Sequence, residues 1–290
     1  MEKNLLNFEH RWRLRSWIPI ENLYWNSLSL NPNAIYLLEE NMDEIDWVRI
    51  SKNPSAIYYL EQNPDHINLI FLSLNPSAIH ILERNIDTIY WPHLSSNPSA
   101  IHIIENNLDK VDWAILSSNS SAIHILEQNP NNINWDYFSE NPSAIHLIEA
   151  NLDASKAGSA TPQNGEVCKI NWSSLSANPL AIPLLEANPD KIDWNLLSRN
   201  PSAIHLLEAN PEQINWNMLS LNPSAIHLLE ANPDNIIWHK VSENPSIFEL
   251  DYDFLLNRMN IIREELMEKT WNPKRFQDWC LSIDEDTELC

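Results

Sequence analysis

The feature that most constrains the fold of this chain is a repeat of 22 residues. Every step between successive units is 22 residues except that from Asn141 to Asn178, which is 37 because it contains 15 extra residues, 154–168. A unit this short cannot bury its own apolar face, so consecutive units must stack into a solenoid. The units begin at Asn31, Asn53, Asn75, Asn97, Asn119, Asn141, Asn178, Asn200 and Asn222, with a degenerate start at Asn244.

The consensus unit reads N-P-S-A-I-H-L-L-E-A-N-P-D-x-I-D-W-x-x-L-S-x, and we number its positions 1 to 22. Asn at position 1 followed by Pro is typical of a helix start, and Asn at position 11 suits a left-handed helix end. Positions 4, 5, 7 and 8 form the apolar stripe of a first helix. A second helix is predicted from about position 13, with positions 15, 17 and 20 facing inward.

These signals predict an all-α, right-handed helical-repeat solenoid of about ten two-helix units. A leucine-rich repeat is the rival interpretation, but the fifth residue before the Asn is polar in several copies, so the alternation of a strand is missing. Half a unit around Trp25 precedes the array. Because the ends of a solenoid need caps, we expect a C-terminal capping helix over 249–270, with an apolar stripe of Phe254, Leu255, Met259, Ile262 and Leu266.

Three segments follow from this pattern. Residues 1–30 form an N-terminal cap and a partial repeat. Residues 31–243 hold nine repeats, with an insertion loop at 154–168. Residues 244–290 contain a degenerate repeat, the long capping helix and an acidic tail.

Composition excludes several classes of function. The chain has only two glycines, Gly158 and Gly165, so it lacks the glycine-rich loops of P-loop and Rossmann nucleotide sites. Its 18 Lys and Arg against 40 Asp and Glu give a net charge of -22, which disfavours nucleic acid and anionic membrane surfaces as partners. Three cysteines without metal or disulfide spacing, and the absence of an apolar leader, indicate an intracellular protein.

The units N-P-S-A-I-H-L-L-E-A-N-P followed by D-K-I-D-W resemble the short tandem repeats of largely uncharacterised proteins encoded by giant nucleocytoplasmic large DNA viruses. The segment R-M-N-I-I-R-E-E-L at 258–266 and Asn272-Pro273-Lys274-Arg275 resemble the closing segment of such proteins. Members often carry His before the Pro, where this chain has Asn272. The resemblance implies a viral source and the host cytoplasm as location, with the virion as the alternative; it implies no activity.

A histidine ladder is the one feature that suggests chemistry. Position 6 is His in six units, and position 9 is Glu in all nine, so each His is expected to face a Glu one turn along its own helix. We interpret the ladder as structural rather than metal-binding, because residues of stacked helices lie about 8 to 10 Å apart and cannot converge on one ion. The histidines are His80, His102, His124, His146, His205 and His227.

The position-17 tryptophans are interpreted as core residues, and no catalytic motif or cofactor site is found, so we expect no enzyme activity.

Solenoids recognise proteins through variable positions on a fixed frame. We therefore predict a non-enzymatic scaffold that binds a protein partner and is able to self-associate. A structural virion or virus-factory component is the alternative, and a metal-dependent enzyme the second. The candidate partner-binding residues occupy position 10: Glu40, Gln62, Arg84, Asn106 and Gln128.

Overall fold

A computed structural model describes residues 11–156 and 170–270 of the 290-residue chain. The chain divides into two compact units. The repeat unit is Arg15–Ile247, and the terminal unit comprises Met1–Leu14 and Phe248–Cys290. Residues 15–30 and 244–247, which the sequence pattern assigned to separate terminal segments, thus belong with the repeats. The insertion loop 154–168 lies almost wholly outside the described residues.

The predicted helical-repeat solenoid is confirmed, with two short α-helices in each unit. One helix begins at position 5 and the other at position 17. The helices beginning at position 5 are α2 (Ile35–Glu39), α4 (Ile57–Gln62), α6 (Ile79–Arg84), α8 (Ile101–Glu105), α10 (Ile123–Gln128), α12 (Ile145–Lys156), α14 (Ile182–Glu186), α16 (Ile204–Ala209) and α18 (Ile226–Ala231). Those beginning at position 17 are α1 (Trp25–Leu28), α3 (Trp47–Ile50), α5 (Leu69–Leu72), α7 (Trp91–Ser95), α9 (Trp113–Leu116), α11 (Trp135–Glu140), α13 (Trp172–Ser176), α15 (Trp194–Arg199), α17 (Trp216–Leu219) and α19 (Trp238–Val241).

The first helix begins as the Asn-Pro pair predicts. In the unit starting at Asn97, the side-chain Oδ1 of that residue accepts the backbone N–H of Ser99 at 3.0 Å, and Pro98–Ala100 form a 3-10 turn that leads into α8. Pro98 is tolerated because the first turn of a helix has no use for its missing N–H.

The end of the first helix differs from the predicted left-handed cap. Asn63 at position 11 has φ -129° and ψ 58°, and Asn188 has φ -138° and ψ 61°. Instead of adopting positive φ, the side-chain Nδ2 of Asn63 donates to the carbonyl oxygen of Tyr59 at position 7, at 2.9 Å. The amide thus satisfies a carbonyl at the helix end, which would otherwise lack a partner.

The second helix begins at position 17 and not near position 13. A 3-10 turn occupies positions 12 to 14, for example Pro189–Lys191, and Ile192 at position 15 is extended, with φ -67° and ψ 124°. Asp193 at position 16 then caps α15, accepting the backbone N–H groups of Asn195 and Leu196 at 3.0 and 3.2 Å. An extended residue at position 15 therefore separates the two helical segments.

The apolar core is a column of three side chains per unit, at positions 4, 8 and 20. Ala100, Ile104 and Leu116 represent them in one unit, and each is 0% exposed. Position 4 is Ala in every complete unit, and each of these alanines is 0% exposed. The tryptophans at position 17, predicted as core, are only partly buried.

A ladder of buried asparagines joins the units. The side-chain Nδ2 of Asn97 donates to the carbonyl oxygens of Ser73, at 3.0 Å, and Asn75, at 3.1 Å, in preceding units. Asn97 is 1% exposed, so these bonds are shielded from water. The same pair of bonds recurs at each start with distances of 2.9 to 3.2 Å.

A parallel ladder is formed by the serines at position 21. The hydroxyl of Ser95 donates to the carbonyl oxygen of Trp91 at 2.8 Å and accepts the backbone N–H of Asp112, in the next unit, at 3.0 Å. That second bond holds position 16 outside the helix that follows, which explains why the helix begins at position 17. Each unit is therefore bonded to its neighbour through both Asn and Ser.

The ladder continues across the insertion without a change of register. Asn178 Nδ2 donates to the carbonyl oxygens of Ser139 and Asn141 at 3.1 and 3.0 Å. These are the same partners, positions 21 and 1 of the preceding units, that the asparagines of the other units have. The insertion therefore leaves the stacking of the units intact.

The ladder closes on itself. Asn31, in the first unit, donates through Nδ2 to the carbonyl oxygens of Ser242, at 3.0 Å, and Asn244, at 2.9 Å. The backbone N–H of Tyr24 donates to Ser242 Oγ at 3.0 Å, which is the serine bond of the internal units. Asn33 Nδ2 also donates to the carbonyl oxygen of Pro245.

The tenth unit is therefore composite. Its positions 1 to 4 come from Asn244–Ile247, and its positions 12 to 22 come from Ile20–Leu30, with the 3-10 turn Ile20–Asn22 and α1 in their usual places. The sequence analysis expected two ends that need caps, whereas the first and last units bond to each other. Nine complete units and two partial ones thus form a closed ring.

The terminal unit contains a two-stranded antiparallel sheet, which the sequence did not predict. Strand β1 (Trp12–Leu14) pairs with β2 (Phe248–Leu250), with Arg13 opposite Glu249 and an ion pair of 3.0 Å between their side chains. Helix α20 (Tyr252–Thr270) follows. Of its predicted apolar stripe, Met259, Ile262 and Leu266 are 64%, 50% and 62% exposed.

Candidate functional site

The histidine ladder runs between units and not within one helix. His124 Nε2 lies 2.7 Å from Oε1 of Glu105, which is position 9 of the preceding unit, so the predicted partner on the same helix is incorrect. Stacking places position 6 of one unit beside position 9 of the unit before it. Four further pairs have distances of 2.7 to 2.9 Å, and the pair of His146 with Glu127 is longer, at 3.7 Å: His80 with Glu61, His102 with Glu83, His205 with Glu186 and His227 with Glu208.

These pairs are too exposed to dominate the stability of the ring. The His and Glu side chains are 45% to 58% exposed, and exposed pairs of this kind typically contribute about 0.2 to 1 kcal/mol. Each pair joins two neighbouring units, and no residue belongs to more than one pair. Within residues 11–156 and 170–270, no group of three or more His, Cys, Asp or Glu side chains could hold one metal ion.

The five candidate partner-binding residues at position 10 are all exposed. Glu40, Gln62, Arg84, Asn106 and Gln128 follow the position-9 glutamates at the end of their helices, and we call these five residues the position-10 surface. Asn106 also donates through Nδ2 to the carbonyl oxygen of His102 at 2.7 Å. The surface is therefore polar and accessible, with four residue types among its five side chains.

A second exposed feature lies where one unit meets the next at position 17. At three junctions the side chain at position 14 of the following unit lies against the position-17 ring. The imidazole of His66 stacks on Trp47, with ring centroids 4.4 Å apart and planes inclined by 19°. At two further junctions a lysine takes this place: Lys110 Nζ lies 5.2 Å from the centroid of Trp91, and Lys191 Nζ lies 4.5 Å from that of Trp172. We call this row of contacts the tryptophan seam.

A cavity of about 510 Å³ opens on the tryptophan seam at Trp194. Three carboxylates line it, from Asp190, Asp193 and Glu212, and one ammonium, from Lys191. The residue at position 14 of the next unit is here Gln213, which carries no charge. The cavity therefore combines an aromatic ring with an excess of negative charge.

No protein-family model, curated protein or solved structure matches this chain. Among the helices that the structure describes, none combines the length and apolar composition that crossing a membrane requires.

Sequence reasoning placed the position-10 surface and the histidine ladder but missed the tryptophan seam. Lys occurs at position 14 in Lys110 and Lys191, and the ring that it covers is three positions further on in the preceding unit. The signal was a cation repeated at one position next to a tryptophan repeated at another. This signal can be interpreted only once the structure shows that the lysine of one unit lies over the tryptophan of the preceding unit.

Proposed function

We propose that this protein is a non-enzymatic scaffold that binds a protein partner through the position-10 surface. One observation carries the proposal. The ring uses its buried polar side chains, Asn at position 1 and Ser at position 21, for bonding between units, while position 10 is exposed and holds five residue types, Glu, Gln, Arg, Asn and Ala, across the nine units. Variable polar side chains on a repeated rigid frame are the arrangement by which repeat proteins recognise other proteins.

The resemblance of the repeat to giant-virus proteins supports a viral source and the host cytoplasm as the place of action, and we include both in the proposal. The excess of acidic residues, 40 against 18 basic ones, favours a partner with a basic surface over a nucleic acid.

The test is a double substitution, Arg84→Ala with Gln128→Ala. Position 10 is already alanine in four later units, at Ala150, Ala187, Ala209 and Ala231, so the change introduces only what the fold accommodates elsewhere. We expect a partner captured stoichiometrically by the tagged protein from producing cells to be lost or strongly reduced with the variant. The melting temperature should remain that of the unchanged protein.

A matched control replaces exposed residues away from this surface, with Ser99→Ala and Ser121→Ala. Capture should be unaffected by the control. If the position-10 variant retains the partner as well as the control does, the position-10 surface is not the contact. If the protein captures only further copies of itself, the scaffold proposal fails in favour of a structural component.

A further inference from the structure

The tryptophan seam already binds cations that the chain supplies. Lys191 and Lys110 each place an ammonium group within 5.2 Å of a tryptophan centroid in the preceding unit. An ammonium over an aromatic face is attracted by the ring quadrupole, most strongly over tryptophan. The repeat thus shows, at two junctions, what chemistry its position-17 ring accepts.

At Trp194 the same place is not taken by a cation, because position 14 of the next unit is Gln213. The cavity of about 510 Å³ lies there. Lys191 also lines it, but the ammonium of that residue lies 4.5 Å from the centroid of Trp172, at the neighbouring junction.

The surrounding carboxylates favour a positive ligand. Asp190 and Glu212 are exposed at the rim, and Asp193 accepts two backbone N–H bonds and the hydroxyl of Ser173. With three carboxylates against one ammonium, the lining repels anions and attracts a cation that is able to donate hydrogen bonds.

We propose that this cavity binds the ammonium or guanidinium group of a lysine or arginine side chain in a basic segment of a protein partner. The side chain occupies over Trp194 the place that Lys191 occupies over Trp172. The site shares no residue with the position-10 surface, so it is tested separately from the proposed function.

The probe is a blocked Gly-Lys-Gly-Lys-Gly peptide, titrated while the indole N–H signals of the protein are followed by NMR. The signal of Trp194 is assigned with Trp194→Leu, which is a mild change because Leu69 holds the same position in another unit. We expect the Trp194 signal to shift saturably, and the same peptide with acetylated lysines to leave it unchanged. Spermidine, titrated in parallel, distinguishes a free polyamine from a peptide: tighter binding of spermidine would overturn the assignment to a protein segment.

The decisive variant is Gln213→Lys, which supplies an internal cation at the junction. We expect it to weaken peptide binding by about tenfold or more, since the added ammonium occupies the ring and reduces the negative charge. The matched control is Asn132→Lys, which adds the same charge at position 14 of another unit, next to Trp113.

The control should leave the affinity within about twofold, because exposed charges far from the cavity are screened by salt. If Gln213→Lys and Asn132→Lys weaken binding equally, the peptide is attracted by the net charge of the whole protein and the site does not exist. An unchanged affinity in Gln213→Lys would overturn the proposal as well.

Discussion

Ring closure predicts that substituting the first asparagine of the ladder lowers the free energy of unfolding as much as substituting one in the middle. Removing the side chain of Asn97 by substitution with alanine leaves two groups without partners, the buried carbonyl oxygen of Ser73 and the partly exposed backbone N–H of Ser99. The carbonyl oxygen of Asn75 keeps its bond from the N–H of Ala78, at 3.2 Å. Water can reach the N–H of Ser99, so the main penalty comes from the buried carbonyl oxygen, and Asn97→Ala should lower the free energy of unfolding by about 1 to 3 kcal/mol.

Equivalent hydrogen bonds are lost by substitution at the junction where the first and last units meet. Asn31→Ala leaves the carbonyl oxygen of Ser242 and the backbone N–H of Asn33 without partners, while Asn244 keeps its bond from Ile247. We therefore expect Asn31→Ala to cost the same as Asn97→Ala to within about 1 kcal/mol. In an open array Asn31 would have no preceding unit to bond, and its substitution would cost much less.

The assay is urea unfolding followed by circular dichroism, with the slope compared between variants so that a change of midpoint can be interpreted as a change of stability. Asn106→Ala serves as the control, because its exposed side chain makes one bond within its own helix and should cost less than about 1 kcal/mol. A large cost for Asn97→Ala together with no cost for Asn31→Ala would refute the closed ring.

Three further predictions concern single positions of the repeat, each measured by urea unfolding. Ser95→Ala should cost about 1 to 3 kcal/mol, because the N–H of Asp112 loses its partner, and an unchanged stability would contradict the serine ladder. Trp113→Leu should cost less than about 2 kcal/mol, since the ring is only partly buried; a loss above about 3 kcal/mol would indicate a core residue. Glu105→Gln, at the exposed pair with His124, should change stability by less than about 1 kcal/mol, and a larger effect would mean that the pairs hold the units together.

Much of the single unit was predictable from the sequence because its signals are local. The Asn-Pro start, the small residue at position 4 and the apolar residues at positions 8 and 20 determine which turns form and which side chains are buried. The start of the second helix was misplaced because Ile at position 15 looks helical, whereas its extended conformation depends on a serine of the preceding unit. The Glu partner of each His was misassigned for the same reason, since it lies in another unit.

Ring closure was not predictable from any one unit. Curvature depends on a small rotation between neighbours, summed over the whole array. The sequence does contain one indication of closure: the partial unit before Asn31 supplies the later positions, and the partial unit at Asn244 supplies the first ones. Two partial units that together make one complete unit are expected where the ends of an array meet.

Closure also limits how a gene for such a protein can change in length. An open solenoid gains or loses a unit by duplication or deletion while its other interfaces stay as they were. Ten units that close a ring must turn by about 36° on average at each junction, since 360° is shared among ten, and an eleventh unit would reduce that average to about 33°. Adding one copy would thus alter all the interfaces at once, so closure ties the curvature of this fold to the number of its units.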